Sequence, residues 1–479
     1  MKQLSMFING QFVAGSGEYR DVINPSTEAV IAKEPVGNID DVNRAVAAAK
    51  KVQKSWERLP AYQRGEYLRK IAAGIRERAD ELIDTIVQEG GKTKDLAKVE
   101  VFFTADYLDY QAEWARRYEG EIIQSDRPRE NIMLFKRPLG VVAGILPWNF
   151  PFFLIARKMG PALVTGNTVV IKPSSLTPIN CFIFAEIVES VGLPAGVFNV
   201  VNGGGAEIGG ALAGHPDVDM VSLTGSVPAG EAVMREASKN ITKVSLELGG
   251  KAPAIVLADA DLDLAAKAIT ASRVGNTGQI CNCAERVYVH ESIRESFIEK
   301  LIAEFKAVKY GNPSEYGEGD LHMGPLIEER ALKSVEAKVN EALDQGGKLE
   351  LGGKRAAGEG FFFEPTIISN ITQEMNIMHE EIFGPVLPIA TFTDLDEVID
   401  LANDCEFGLT SSVYGRNIND LFYITRRLEF GETYINRENF EAMQGFHAGW
   451  KKSGIGGADG KHGLEEFLQT QVVYLETDK

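Results

Sequence analysis

The sequence predicts an α/β protein of two or more domains, because short apolar runs alternate with helical segments. Four of these runs have the character of buried strands, namely residues 141–146, 168–171, 198–201 and 220–223. Each run leads into a helical segment, which is typical of a parallel sheet with ligands at the carboxyl ends of its strands. A second α/β stretch spans about 251–445, and 479 residues exceed what one hydrophobic core usually supports.

The remaining segments are predicted from turn residues and periodicity. Asn9-Gly10 favours a tight β-hairpin over residues 7–13. Apolar residues recur at helical spacing in three segments, so the first 120 residues are predicted to be mainly helical: 42–56, 64–89 and 96–119. Residues 121–134 lack that spacing and are predicted to be extended, and residues 469–475 predict one more strand.

The composition excludes several classes of partner. Lys and Arg number 50 against 68 Asp and Glu, and a net charge of −18 disfavours nucleic acid and anionic membranes. The chain shows no signal peptide and no apolar run of the ~18 residues that span a bilayer. Four widely spaced cysteines fit a reducing compartment. We therefore expect a cytoplasmic protein that binds neither nucleic acid nor membrane.

Cys281 is the candidate nucleophile, because it follows Gly278-Gln279 in a loop whose backbone amides can face a reacting group. A thiol reacts as thiolate, and its ordinary pKa of roughly 8.5 requires a nearby base or a charge that lowers it. The alternative is a small buried apolar residue. Cys283 forms no metal motif with Cys281, since the chain has no second such pair, and we expect no metal.

Two further residues have the chemistry that a cysteine nucleophile needs. Asn149, between Pro147-Trp148 and Phe150-Pro151, offers a rigid amide donor for an oxyanion, or else satisfies a local turn. Glu247 lies between two leucines, where burial would raise its pKa and make it a general base; the alternative is an ion pair with a lysine.

Three other segments could bind a dinucleotide. Lys172 ends a predicted strand, the loop 225–230 opens a helix whose amides suit a pyrophosphate, and Glu381 could bind a ribose hydroxyl. None of them has the G-x-G-x-x-G spacing, and each has an ordinary structural alternative.

Taken together, these motifs resemble the aldehyde dehydrogenase superfamily in order and spacing, over essentially the whole chain. The motifs are 147–151, 172–174, 225–230, 246–251, 278–281, 381–385 and 452–454. Within the superfamily the sequence is most similar to bacterial lactaldehyde/glycolaldehyde dehydrogenases, through Arg157 and the segment 435–447.

The resemblance implies a mechanism and its residues. Cys281 attacks the aldehyde carbon, the Asn149 amide and the Cys281 backbone N–H hold the oxyanion, and a hydride leaves to nicotinamide. Glu247 then activates the water that hydrolyses the thioester. The implied cofactor contacts are Trp148, Lys172, Gly225, Ser226, Gly230, Leu248, Glu381 and Phe383.

The resemblance also implies the domains and the oligomer. A Rossmann-like cofactor domain would comprise residues 1–120 and 138–250, and an α/β catalytic domain residues 251–446. Residues 121–137 and 447–479 would form a β oligomerisation arm and the C-terminal tail, giving a homo-oligomer, dimer or tetramer.

Two positions bear on specificity. Ser175 stands where NAD-preferring relatives usually carry Glu, so repulsion of a 2′-phosphate is lost and we expect use of both NAD and NADP.

Arg157, Glu441 and His447 suggest a small polar pocket for a hydroxyaldehyde substrate. The alternative is that Arg157 pairs with Glu441 away from substrate.

Three rival functions stay open at this point. A CoA-acylating relative would lack the deacylating Glu247, and a non-catalytic structural descendant would not retain Cys281, Asn149 and Glu247. A thiol hydrolase would need a Cys–His signature, and the sequence shows none.

Overall fold

The computed structural model describes residues 2–15 and 18–478 and contains two large, helix-flanked β-sheets. The first sheet has eight strands, of which the five central ones run parallel. In spatial order they are Gly454–Ile455, Lys243–Glu247, Met220–Thr224, Val141–Ile145, Thr168–Lys172, Phe198–Val200, Met6–Ile8 and Gln11–Val13. All four predicted buried strands lie in this sheet, so that part of the prediction is confirmed.

The second sheet has seven strands, parallel except for the first. In spatial order they are Lys348–Leu351, Thr366–Ser369, Val386–Phe392, Arg286–His290, Pro253–Val256, Thr410–Tyr414 and Glu432–Ile435. Buried aliphatic side chains fill the space between each sheet and its helices. In the first sheet, Asn149 and Glu247 lie at the carboxyl ends of parallel strands, whereas in the second sheet Cys281 and Glu381 lie in loops that precede strands.

The helices are interleaved with the strands, as the alternating pattern predicts. Those of the first half are Ile39–Arg58, Ala61–Glu77, Ala79–Gly90, Lys94–Glu113, Phe153–Thr165, Ile179–Ser190, Gly210–Ala213 and Val227–Ala237. Those of the second half are Leu262–Val274, Arg294–Lys306, Glu329–Asp344, Leu395–Asn403, Ile418–Thr425 and Gly460–Glu465. No helix within residues 2–15 and 18–478 combines the length and apolarity needed to cross a membrane.

Three small sheets complete the fold. Glu121–Ile123, Glu130–Pro138 and Leu468–Glu476 form an exposed antiparallel sheet, which confirms the predicted extended segment and the C-terminal strand. Lys2–Gln3, Val30–Pro35 and Tyr19–Ile23 form a second sheet, and Phe407–Gly408 pairs with Trp450–Lys451. The predicted hairpin is present, with Asn9 at φ 54° and Gly10 at φ 75°, as a type I′ turn requires.

The N-terminal third departs from the prediction in two ways. The segment 64–89 forms two helices instead of one, because Arg78 at φ −106° and ψ 22° leaves the helical conformation. The apolar spacing continues across this break because both helices bury one face, so periodicity alone does not reveal it. The strands Tyr19–Ile23 and Val30–Pro35 were not predicted, since they are short and partly exposed.

A buried carboxylate, Glu285, ties together the loops of the second sheet. Its Oε1 accepts hydrogen bonds from Arg273 Nη1 at 2.8 Å and from the Phe383 backbone N–H at 3.1 Å. Its Oε2 accepts from Lys251 Nζ at 2.8 Å and from the Ile382 backbone N–H at 2.9 Å. Burial alone would raise the pKa of Glu285, but Arg273 and Lys251 hold it below its ordinary value. Glu285 therefore stays ionised and fully paired.

Replacement of Glu285 by Gln is expected to destabilise the fold. The change leaves two buried cations without a counter-charge, which costs about 3–5 kcal/mol for a broken buried pair. Urea unfolding followed by tryptophan fluorescence measures the effect as a lower midpoint. Asp263→Asn removes the surface partner of Lys300 and is the control, with no detectable shift expected. An unchanged midpoint for Glu285→Gln would contradict this role.

Candidate active site

A cavity of about 320 Å³ lies between the loops of the two large sheets and is lined by most of the predicted site residues. It brings together the predicted catalytic residues and the predicted substrate residues: Cys281, Glu247, Asn149, Arg157, Glu441 and His447. Predicted cofactor residues line it as well: Trp148, Gly225, Ser226, Leu248, Glu381 and Phe383. Lys172, Ser175 and Gly230 do not line this cavity.

Cys281 lies in the loop between the helix Leu262–Val274 and the strand Arg286–His290. The loop is sharply folded, because Asn276 and Thr277 adopt positive φ angles of 45° and 60°. Gln279 fixes it, since its side chain donates to Asn276 O at 2.9 Å and accepts from the Ile327 backbone N–H at 2.9 Å. The sulfur is thereby held at the cavity wall by a rigid backbone.

The surroundings of the Cys281 thiol act on its acidity in opposite directions. Burial raises the pKa of this thiol, and the hydrogen bond and positive charge of His447 lower it. Cys283, two residues along, is buried with its pKa raised to about 12, chiefly by burial. Both thiols have a neighbouring cation that favours the thiolate, His447 for Cys281 and Arg273 for Cys283, but of the two only Cys281 lines the cavity.

Asn149 follows the strand Val141–Ile145 and is held through both its side chain and its backbone. Its Nδ2 donates to Gln279 O at 3.0 Å, which leaves the second amide N–H for a group in the cavity. Its backbone carbonyl oxygen accepts a hydrogen bond from Lys92 Nζ at 2.8 Å. Lys92 is paired in turn with Glu100, whose Oε1 accepts from the Phe152 backbone N–H at 3.0 Å.

Sequence reasoning missed Lys92 and Glu100 as supports of Asn149. Both side chains are buried, at 2% and 0% exposure, with Lys92 in the link between two helices and Glu100 on the helix Lys94–Glu113. In the sequence they are a lysine and a glutamate eight residues apart in a stretch rich in charged residues, which does not by itself indicate burial or a contact.

Glu247 is the last residue of its strand and faces the cavity from the first sheet. Among the described residues, no donor makes a well-aligned hydrogen bond to either of its carboxylate oxygens, although His447 Nε2 lies 3.2 Å from Oε2. Burial raises the pKa of Glu247, and the charges of His447, Arg157 and Lys158 partly offset that rise. A buried carboxylate with free oxygens suits a general base.

Arg157 forms a polar wall with two acidic residues. Its Nη2 lies 3.1 Å from Glu441 Oε1, and its guanidinium makes a two-pronged pair with Asp459. The predicted pairing with Glu441 is therefore present, but it lies in the cavity wall, together with Asn282 Nδ2, which donates to Glu441. Asp459 was missed; the one local signal is an Asp-Gly pair, and Asp459 has a positive φ of 69°.

His447 lies beside Cys281, although no Cys–His signature is visible in the sequence. Its Nδ1 is 2.6 Å from Glu432 Oε1, and its Nε2 faces Glu247 and the Cys281 sulfur. Its backbone N–H and carbonyl pair with Ala458 at 2.9 and 2.8 Å, which fixes the ring's position. Glu432 was not singled out from the sequence.

Two of the three residues outside the cavity, Lys172 and Ser175, form a second cluster around Glu34. Lys172 is buried, and its Nζ donates to Pro173 O at 2.9 Å. Burial lowers the pKa of Lys172 to about 8, against the charge of Glu34. Ser175 Oγ donates to Gly203 O at 3.3 Å and lies close to Glu34. Glu34, which sequence reasoning missed, thus places a carboxylate beside Ser175.

The remaining predicted cofactor residues differ in what they contact. A Cβ on Gly230 would lie 2.7 Å from Leu248, so this glycine permits close packing of its helix on the loop after Glu247. Ser226 precedes the helix Val227–Ala237 without capping it by its side chain, which leaves the first-turn amides for a ligand. Trp148 and Phe383 meet edge to face with ring centroids 5.5 Å apart.

Glu381 reaches the cavity from the loop before the strand Val386–Phe392. Its Oε1 accepts from the Gly250 backbone N–H at 2.8 Å. Burial, with a smaller contribution from the charge of Glu285, raises the pKa of Glu381 to about 7. A buried carboxylate with one committed oxygen is suited to hydroxyl groups of a ribose.

Comparison with known proteins identifies relatives over the full length of the chain. Lactaldehyde dehydrogenase from Escherichia coli (strain K12) is 62% identical over 476 residues, which cover 99% of each chain. The crystal structure of the Escherichia coli lactaldehyde dehydrogenase superposes with a TM-score of 0.98 over 99% of each chain.

Two further relatives have cofactors in their descriptions. A D-glyceraldehyde dehydrogenase (NADP(+)) from Thermoplasma acidophilum is 38% identical, covering 98% of this chain and 96% of the relative. A structure of betaine aldehyde dehydrogenase from Staphylococcus aureus in complex with NAD+ is 35% identical, with a TM-score of 0.96, and the match covers 99% of this chain and 95% of that one.

The family model described as "Aldehyde dehydrogenase family" matches residues 12–473. The predicted family, fold class and oxidoreductase class are thereby confirmed. This chain belongs to the aldehyde dehydrogenase family.

Proposed function

We propose that this enzyme oxidises small neutral hydroxyaldehydes, such as lactaldehyde and glycolaldehyde, to carboxylates with NAD or NADP. The observation that carries the proposal is the single cavity in which Cys281, Asn149 and Glu247 face a polar wall. That wall contains Arg157 and Glu441, which can hydrogen-bond a substrate hydroxyl. The 62% identity to a lactaldehyde dehydrogenase supports the same substrate class.

The residues of the chain divide the reaction into two steps. The Cys281 sulfur forms a bond to the aldehyde carbon, and the free N–H of Asn149 and the Cys281 backbone N–H stabilise the oxyanion. When the hydride has left, the acyl group remains on sulfur as a thioester. Glu247 then accepts a proton from water, the water oxygen bonds to the acyl carbon, and the carbon–sulfur bond breaks.

The chain's residues fit a nicotinamide dinucleotide, which would supply the hydride acceptor. Lys172 is buried with one hydrogen bond to Pro173, so its ammonium has donors left for a ribose or a phosphate. Ser226 leaves the first-turn amides of its helix uncapped, which suits a pyrophosphate. Glu381 would bind ribose hydroxyls, and the remaining contacts would come from Trp148, Gly225, Gly230, Leu248 and Phe383.

The domain division and the assembly belong to the same proposal. The cofactor domain would be 1–120 with 138–250, the catalytic domain 251–446, and the arm 121–137 with the tail 447–479. Exposed apolar residues on the arm support a homo-oligomer, dimer or tetramer, because they would be covered by a second copy: Ile122, Ile123, Phe135, Val472, Tyr474 and Leu475. Four free cysteines among the described residues support a cytoplasmic location.

Replacing Cys281 by Ser is expected to lower kcat for lactaldehyde by about three orders of magnitude or more, because a hydroxyl is a far weaker nucleophile. NADH formation followed at 340 nm measures it. Cys283→Ser is the matched control and is expected to retain most of the activity, since that sulfur is buried away from the cavity. Comparable rates for Cys281→Ser and the parent would contradict the proposal.

Both cofactors are expected to support the reaction, with kcat/KM for NADP within about a hundredfold of the value for NAD. The reason is that Ser175 occupies the position at which a glutamate would repel the 2′-phosphate of NADP. Ser175→Glu is expected to reduce kcat/KM for NADP by about tenfold or more and to spare NAD, while Ser175→Ala adds no charge and serves as control. A kcat/KM for NADP more than about a hundredfold below that for NAD in the parent enzyme would contradict this expectation and point to Glu34 as the group that excludes the 2′-phosphate.

Anionic aldehydes are expected to be poor substrates. Arg157 is already paired with two carboxylates, those of Glu441 and Asp459. Two further acidic side chains, Glu247 and Glu432, lie around the cavity, so its acidic groups outnumber the cations that could pair with a substrate anion. We expect kcat/KM for glyoxylate and succinic semialdehyde to be about a hundredfold or more below that for lactaldehyde. Glu441→Gln is expected to narrow that gap. Equal turnover of neutral and anionic aldehydes by the parent enzyme would refute the charge argument.

A further inference from the structure

His447 lies where a residue that ionises the nucleophile would have to lie. The ring is 2% exposed and lines the same cavity as Cys281. Its two nitrogens have separate partners: Nδ1 is 2.6 Å from Glu432 Oε1, and Nε2 is 3.2 Å from Glu247 Oε2, in the cavity that Cys281 also lines. Because Glu432 occupies Nδ1, the nitrogen that can exchange a proton with the sulfur is Nε2.

Glu432 is itself held in place. It is the first residue of the strand Glu432–Ile435, and its second oxygen accepts the Tyr434 hydroxyl. The His447 backbone is fixed by its two hydrogen bonds to Ala458. The order sulfur, imidazole, carboxylate is therefore rigid before any substrate binds. A carboxylate that orients an imidazole and stabilises its cation is the arrangement by which a neighbouring nucleophile is activated.

We propose that His447 is a catalytic residue that accepts the proton of the Cys281 thiol. Glu432 is the positioning residue that keeps the imidazole ring oriented for this transfer. In this step the S–H bond breaks, the proton forms an N–H bond at Nε2, and the electron pair stays on sulfur. That pair then forms the bond to the aldehyde carbon. Glu247 lies 3.2 Å from His447 Nε2 but does not take this proton, and it remains the base for the hydrolytic water in the second step.

The charges around His447 favour this assignment. Burial alone would lower the pKa of His447, but the adjoining carboxylates raise it well above its ordinary value against the opposing charge of Arg157. The groups that face the ring are Cys281, Glu247, Glu432, Glu441 and Arg157. For the Cys281 thiol, the influence that lowers its pKa comes from His447, whereas Glu247 and Glu441 raise it. Glu247 is thus a poor candidate for ionising the thiol.

This inference rests on the proposed function for the role of Cys281, but it can be tested without aldehyde or cofactor. The rate at which iodoacetamide alkylates Cys281 in the free enzyme, measured by peptide mass spectrometry from pH 5 to 10, follows the thiolate fraction. A residue that only binds substrate would not alter this rate. Oxidation of lactaldehyde by the parent enzyme tests the proposed function separately.

Three variants decide the matter. His447→Gln is expected to raise the midpoint of the pH dependence of alkylation by about one pH unit and to lower the alkylation rate at pH 7.5 about tenfold. Glu432→Gln, which keeps the imidazole, is expected to give a smaller shift in the same direction. Glu247→Gln is expected not to slow alkylation, because it removes an anion from beside the sulfur.

Two outcomes would overturn the inference. One is an unchanged alkylation profile in both His447→Gln and Glu432→Gln. The other is a Glu247→Gln variant slowed as strongly as His447→Gln, which would make Glu247 the base for the thiol. Circular dichroism of each variant establishes that the profile is measured on folded protein, and Glu432→Gln keeps the test decisive should His447→Gln fail to fold.

Discussion

The position of the Cys281 loop depends on one buried carboxylate. Glu285 binds Arg273 and Lys251 and accepts the backbone N–H groups of Ile382 and Phe383. Arg273 in turn donates to the Gly278 carbonyl, two residues after the sharply folded Asn276. The Cys281 loop, the Lys251 segment before the strand Pro253–Val256 and the loop carrying Glu381 are therefore joined at a single charge. The cost of burying that charge is offset because every partner is in place.

Buried polar partners also orient the side chains of the cavity. Lys92 fixes the backbone of Asn149, Glu432 fixes His447, and Asp459 fixes Arg157. In a site of low dielectric these pairs are strong, and a missing partner would be costly. Glu247 differs, because its oxygens lack well-aligned protein donors, and that leaves them available to a water molecule. Its raised pKa suits proton transfer near neutral pH.

The sequence allowed the main architecture to be predicted, because buried strands appear as apolar runs, and it named the proposed reacting groups through motifs whose residues lie close together in the chain. The partners of those groups were not predictable in the same way. Asp459 is 302 residues from Arg157, and Lys92 is 57 residues from Asn149. An isolated Asp or Glu has no local pattern that identifies a distant cation. His447 was predicted to contact substrate, but its approach to Cys281 depends on the pairing of its backbone with Ala458.

In the proposed mechanism the acyl group is carried on Cys281 and released by water that Glu247 activates. Intact-mass and peptide analysis of Glu247→Gln, mixed with lactaldehyde and NAD and quenched in acid, would detect that acyl group. We expect a mass gain of one lactoyl group on the peptide that contains Cys281, together with one equivalent of NADH. Stoichiometric NADH without any adduct on that peptide, or an adduct on another residue, would contradict it.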